Sequence, residues 1–234
     1  IVLFNYDPSR SMSAANRLLS GFKGYLQVDG YGGYNGICNG PDVKRVGCFA
    51  HARRYFHDAI KGERKSGGKA GEALSFIKRL YMVEKRCKGK SADEIKAIRL
   101  SEAQPILDEF YDWQLKIIGS IPPKTLTGKA LAYLESEWSN LSRYVENGHI
   151  AIDNNFAENA IRPFVIGRKA WLFSDTVGGA NASAAIYSVV ETAKANGIEP
   201  YQYLRFLLNE IPKADSLEGY EKLLPKVYKQ TIGQ

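Results

Sequence analysis

The sequence predicts an α/β protein of α+β organisation, a small sheet core interrupted by a large all-helical insertion and followed by a helical C-terminal region. Three observations predict it. Two short β-rich runs, Gly24–Asp29 and Val43–Phe49, are each closed by a glycine cluster or a helical pattern. From Ala73 to Val145 the apolar residues recur at helical spacing, with cap and stop signals between the runs. Behind that stretch stands a new helix bearing Glu158. The boundaries read as a core first part over 1–60, a helical insertion over 61–148, a second core part over 149–180, and a C-terminal region with its tail over 181–234.

At 234 residues the chain can bury one good core plus an inserted subdomain, and 44% apolar with 12% aromatic residues argues against disorder. A net charge of +7 favours a polyanionic partner without demanding one. No apolar run of about 18 residues is present, so no membrane partner is expected. The opening residues lack the charged and long apolar regions of a signal peptide, and three sparse cysteines suit a reducing cytoplasm. The chain starts on an apolar run without an initiator Met, as a piece of something longer would.

In chain order, Ile1–Tyr6 reads as a strand that turns at Asp7-Pro8. Ser13–Leu19 reads as a brief helix stopped by Gly21. The Gly24 strand places Asp29 at its carboxyl end, where open α/β sheets put ligands, although an Asp before Gly serves equally as a turn residue. After the Val43 strand comes a basic helix, Ala50–Ala59, carrying Arg53 and Arg54. Cys48 and His51 have C-x-x-H spacing, with Cys38 and His57 nearby, but no second ligand pair completes a zinc site. A buried thiol and a hydrogen-bonded imidazole at a strand-to-helix corner is the expectation. Residues 61–71 read as a Gly/Lys/Ser linker.

Within the insertion, Ser91 and Glu94 form a capping box, Pro105 suits a helix start, and Thr127 is placed to cap a further helix. Leu131, Leu134, Trp138, Leu141 and Val145 make its packing stripe, closed by Asn147-Gly148. Asp153 stands where an N-cap belongs, Glu158 and Arg162 share a face at i,i+4, and Pro163 should kink or end their helix. Arg168, Lys169 and Trp171 put cations beside an aromatic, suited to phosphates and unstacked bases or equally to a solvated basic face. A helix over 182–195 should stop at Asn196-Gly197, another should run from Pro200 to Glu210, and the last twenty or so residues should form a loosely packed tail.

The order of these pieces resembles a ribonuclease-H-like transposase core. Tyr25-Leu-Gln-Val-Asp-Gly-Tyr-Gly-Gly-Tyr34, Cys48-Phe-Ala-His-Ala-Arg-Arg-Tyr-Phe56 and Ile152-Asp-Asn-Asn-Phe-Ala-Glu-Asn-Ala-Ile-Arg-Pro163 resemble signature blocks of the insertion-sequence-sixty-six transposases. So do Gly167-Arg-Lys-Ala-Trp-Leu-Phe173 and Tyr187-Ser-Val-Val-Glu-Thr-Ala-Lys-Ala-Asn-Gly197, and the blocks keep their order across most of residues 5–211.

The resemblance implies a mixed-sheet core lacking its first strands here, and a DDE site holding two Mg²⁺ or Mn²⁺ ions. On that mapping Asp29 is the second acid and metal ligand and Glu158 the third. The first acid lies upstream of the matched segment, so Asp7 is not promoted and the fragment alone is expected to be inactive or nearly so. Arg53, Arg54, Arg162, Arg168 and Lys169 would contact DNA, with Cys48, His51 and Asn155 as site support. The implied activity is DNA strand cleavage and strand transfer, on transposon ends and target, by a homo-oligomer assembled on DNA in the bacterial cytoplasm at the nucleoid. A resolvase-like nuclease and a non-catalytic DNA-binding or assembly module are the alternatives.

Overall fold

The computed structural model describes residues 1–62, 68–171 and 174–232. The chain is mostly helical with a small parallel sheet, an α+β composition. It divides into two compact units, one of Arg10–Phe156 and one of Ile1–Ser9 with Ala157–Gln234.

In the Arg10–Phe156 unit, helix α1 (Met12–Leu18) ends ahead of Gly21, whose φ of 78° is the left-handed stop the sequence announced. Strand β1 (Gly24–Gln27) pairs in parallel with β2 (Val43–Val46), Gly24 opposite Val43 and Gln27 opposite Val46. Val28 N donates to Val46 O at 3.0 Å, carrying the ladder one residue towards Asp29. A 3₁₀ turn (Gly32–Tyr34) and the short helix α2 (Asn35–Cys38) lie in the crossover. Among the described residues the expected mixed sheet is represented by this parallel pair alone.

Helix α3 (Phe49–Gly62) buries Phe49, Ala52, Phe56 and Ala59, a three-four-three spacing that turns one face inward. That face packs on α4 (Gly68–Cys87) and on α7 (Leu126–Ser142). The expected linker is narrower than 61–71, because α3 runs through Gly62 and α4 starts at Gly68; 63–67 lie outside the described residues.

Helix α5 (Ala92–Ile98) carries the expected capping box of Ser91 and Glu94. It passes through a π-helical turn (Arg99–Ala103) into α6 (Gln104–Ile117), with Pro105 in the first turn. Thr125, not Thr127, caps α7, its hydroxyl accepting from Gly128 N at 3.0 Å. Thr127 is buried within the first turn. The packing stripe is where the periodicity put it: Leu131, Leu134 and Leu141 are fully enclosed, and Phe110 meets Trp138 edge-on at 5.4 Å.

The chain crosses between units within the first turn of α8 (Asn155–Trp171). Pro163 does not end this helix, since its missing donor removes one rung while the turns on either side persist. In the second unit α9 (Val177–Ala195) starts before Gly178-Gly179, which fall in its first turn beneath the Thr176 cap. It ends at Asn196, with Gly197 at φ 67°.

Helix α10 (Pro200–Glu210) follows as the sequence indicates. Ile1–Tyr6 is not a strand. Thr192 Oγ1 accepts from Val2 N at 2.9 Å and Ser188 Oγ accepts from Phe4 N at 2.7 Å, so α9 side chains take the amides that a sheet neighbour would take. The tail forms two short helices, α11 (Leu217–Glu221), which buries no residue, and α12 (Pro225–Ile232). Tyr228 of α12 is buried beside Tyr203 and Leu207.

Candidate active site

Asp29 stands half-buried just past β1, at the carboxyl end of a parallel pair. Its Oδ1 accepts from Tyr31 N at 3.1 Å, so the turn that exposes the carboxylate also orients it. Its carbonyl accepts from Arg45 Nη2 at 3.0 Å, and the same guanidinium donates to Asn35 Oδ1 and pairs with Glu137 at 3.4 Å. β2, α2 and α7 therefore hold the strand end together. The Tyr34 phenol is pushed up by burial and by the Asp29 charge.

The segment that leads to the Glu158 helix is fixed to the same unit. Gln27 of β1 donates to Ala151 O at 2.7 Å and to Gly47 O at 3.3 Å, and Phe49 N donates to Ile152 O. Asn154 N donates to the Cys48 sulfur at 3.4 Å. Cys48 is fully enclosed and its thiol is pushed up by burial, against the lowering pull of that amide and of its own helix turn. His51 is half-buried one turn on.

Asp153 is not the cap residue itself. The helix begins at Asn155, and Asp153 Oδ1 accepts from Asn155 N at 3.1 Å while Oδ2 accepts from the Tyr81 hydroxyl at 2.6 Å. Burial first, then the hydrogen bond to Asp153, drives the Tyr81 phenol far above its ordinary range, and Arg53 opposes that weakly. Arg53 and Arg54 are exposed on α3, and the Asn155 side chain is exposed at the helix start.

Glu158, Arg162, Arg168 and Lys169 belong to the other unit. Glu158 is half-buried and Arg162 is exposed on the same helix face one turn later. Arg168 lines a cavity of about 380 Å³ in that unit with Asp7, Phe4 and Phe164. Of the basic segment, the Trp171 side chain and Leu172-Phe173 lie outside the described residues. The structure thus gathers Asp29, Cys48, His51, Arg53, Arg54 and Asn155 into one unit and Glu158, Arg162, Arg168 and Lys169 into the other. Among the described residues no group of three or more His, Cys, Asp and Glu is placed to hold a metal ion. Among them, too, no helix is long and apolar enough to cross a membrane.

A family model described as Transposase IS66 family matches residues 1–182. The chain belongs to the Transposase IS66 family. A second model, the IS66 C-terminal element, matches residues 188–225. Two uncharacterized proteins of Sinorhizobium fredii, y4qI and y4jD, are each 30% identical over 237 residues, which is 98% of this chain but 43% and 46% of theirs. A third from the same organism, y4hP, is 29% identical over 226 residues. The chain spans less than half the length of these relatives. No solved structure matches it.

In this IS66 family chain the residues that sequence reasoning passed over are those that support the acids. Gln27 bears a signal, a polar residue inside an otherwise apolar strand. Arg45 lies in a β-rich run but faces a crossover whose folding sequence does not disclose. Tyr81 is separated by 72 positions from the Asp153 it holds, and no local pattern links the two.

Proposed function

We propose that this chain forms part of the catalytic core of a DNA transposase, performing metal-dependent strand cleavage and strand transfer through a DDE carboxylate site on a ribonuclease-H-like sheet. The observation that carries the reading is Asp29: a carboxylate at the carboxyl end of a parallel strand, oriented by its own turn and backed by Arg45, in a chain of a transposase family. Asp29 and Glu158 would be the ligands for Mg²⁺ or Mn²⁺, which favour oxygen donors such as these two carboxylates. The orienting bond to Tyr31 N is made by Asp29 Oδ1. When bound, a metal pair activates the attacking oxygen and stabilises the leaving one in an in-line displacement.

The residues of the chain do the rest. Asp29 and Glu158 would supply the negative charge that holds such ions. Arg162 and Lys169, on the helix face of Glu158, neutralise neighbouring phosphates, as do Arg53, Arg54 and Arg168. Cys48 holds the segment before the helix by accepting from Asn154 N, and His51 and Asn155 would stand beside it as site support. Water as nucleophile would nick the element end, and the freed 3′-hydroxyl would then attack target DNA, on an oligomer assembled around the two ends.

The test is cleavage and joining of element-end DNA in Mg²⁺ or Mn²⁺ by the protein carrying these residues. Asp29→Asn and Glu158→Gln should each reduce both products to background while leaving DNA binding intact. Full activity in Glu158→Gln would transfer the chain to the binding or assembly module, which the +7 charge and the exposed Arg53 and Arg54 also suit. Cleavage without joining would transfer it to a resolvase-like nuclease.

A further inference from the structure

A cavity of about 320 Å³ lies in the Arg10–Phe156 unit, between the crossover, β2 and the end of α7. Its wall carries three cations, Lys44, Arg45 and Arg143, with the amides of Asn35, Asn39 and Asn140, and no carboxylate. Two acids answer these cations from outside the lining. Glu137 pairs with Arg45 at 3.4 Å, and Glu146 is shared between Lys44 at 3.4 Å and Arg143 Nε at 3.5 Å. The charge is therefore in surplus by one cation. The Arg45 Nε–H is buried and meets no acceptor among the described residues, a donor that costs free energy until something accepts from it. Planar guanidinium groups and an ammonium beside neutral amide donors, with no facing acid, form the donor set that recognises phosphate.

We propose that this cavity binds a phosphate of the nucleic-acid backbone, with Lys44 and Arg143 as charged contacts and Asn39 as a neutral donor. The proposal rests on the DNA-processing reading above and adds a contact outside Arg53, Arg54, Arg162, Arg168 and Lys169. Arg45 lines the cavity and also donates to the Asp29 carbonyl, so the phosphate site adjoins the strand end on which that acid stands. Lys44 keeps 58% of its side chain exposed and makes its contacts at the surface, so it can be changed without opening the core.

The experiment is binding of a labelled DNA duplex to the whole chain between 50 and 200 mM salt. It compares the native protein with Lys44→Gln, Lys44→Arg, Asn39→Asp and, as an equal charge change on the exposed face of α6, Lys116→Gln. One lost phosphate contact lowers the log–log salt slope by about 0.9, so Lys44→Gln should flatten it by about 1 and weaken low-salt binding about threefold or more. Asn39→Asp, which puts a carboxylate into the cavity, should weaken binding further. Lys44→Arg should restore it, and Lys116→Gln should leave it unchanged.

Equal losses in Lys44→Gln and Lys116→Gln would overturn the site in favour of undirected charge. A phosphorus NMR titration with inorganic phosphate separates the other source. Phosphate binding abolished by Asn39→Asp, with DNA binding untouched, would make this a free-anion site and overturn the backbone assignment. A native chain that binds no DNA at any salt would sink the transposase reading and this site together, whereas DNA binding indifferent to every cavity variant would sink the site alone.

Discussion

The two units keep their shape by different means. The Arg10–Phe156 unit has a continuous apolar core in which Phe56, Ile77, Leu80, Phe110, Leu131, Leu134 and Tyr144 are fully enclosed, drawn from α3, α4, α6, α7 and the 3₁₀ turn (Arg143–Glu146) that follows α7. The unit of Ile1–Ser9 with Ala157–Gln234 has a smaller cluster around Tyr203, Leu207 and Tyr228, supplemented by polar ties. Tyr203 donates to Leu223 O at 2.7 Å, Lys229 donates to Asn196 O at 2.8 Å, and the Ile1–Tyr6 segment hangs on Ser188 and Thr192. The difference bears on function, because Asp29 stands on the densely packed support and Glu158 on the thinner one. Local opening starts where buried apolar contacts are few, so amides of α10 and α12 should exchange with solvent before those of α3, α4 and α7.

The strongest way to break the comparison is at Arg99. It is 3% exposed, pairs with Glu84 at 2.7 Å, and donates to the carbonyls of Tyr144, Asn147 and Ile150. Arg99→Met would strand a largely buried carboxylate and three carbonyls, and should lower stability by about 3–5 kcal/mol in denaturant melts. A loss under about 1 kcal/mol would mean that the loop before the Glu158 helix does not depend on this core.

Gly148 comes next. The sequence marks it as a helix stop, yet its φ is not left-handed; a Cβ there would run into the Ala92 carbonyl. Gly148→Ala should cost about 1–3 kcal/mol through overpacking, whereas Gly71→Ala, which meets open space, should cost nothing measurable. Smaller still is Tyr203→Phe, which removes one hydrogen bond and should cost about 1 kcal/mol. Its effect should appear as faster exchange within α10 and α12 and leave the large core untouched. Slower-exchanging amides of α3 opening in parallel would show that the two units unfold as one.

At neutral pH the smallest effect is the alkaline one. Burial, the largest cause in each case, lifts the phenols of Tyr81, Tyr133 and Tyr144 well above the ordinary value of 10.0 in the large unit, and raises Tyr203 in the small one. A phenol whose folded pKa exceeds its unfolded value contributes stability that is complete below pH 10 and lost as pH rises beyond it. Stability should therefore be flat up to about pH 9 and fall above about pH 10. Tyr81→Phe should shallow that fall in an alkaline melt series. An unchanged slope would mean that its bond to Asp153 is not kept in solution.

What the sequence determined by itself is what neighbouring residues decide. The capping box at Ser91, the prolines at 105 and 200, the Asn196-Gly197 stop and the Leu131–Val145 stripe all act within about four residues, and each stands where the pattern put it. The place of Asp29 was legible too, as the first acid past a β-rich run. Thr125 against Thr127, and the helix that runs on past Pro163, show how far such signals locate a boundary without setting its last residue.

Only the tertiary structure decided the rest. Ile1–Tyr6 has a strand's composition, but a strand exists only beside another, and here its amides meet α9. Gln27 reaches Ala151 across 124 positions, and Tyr81 reaches Asp153 across 72. Arg45, Lys44 and Arg143 surround a cavity assembled from the crossover, β2 and α7. Such partners meet only after the core has closed, because hydrogen bonds and ion pairs act over a few ångströms and distant positions carry no local trace of where folding brings them.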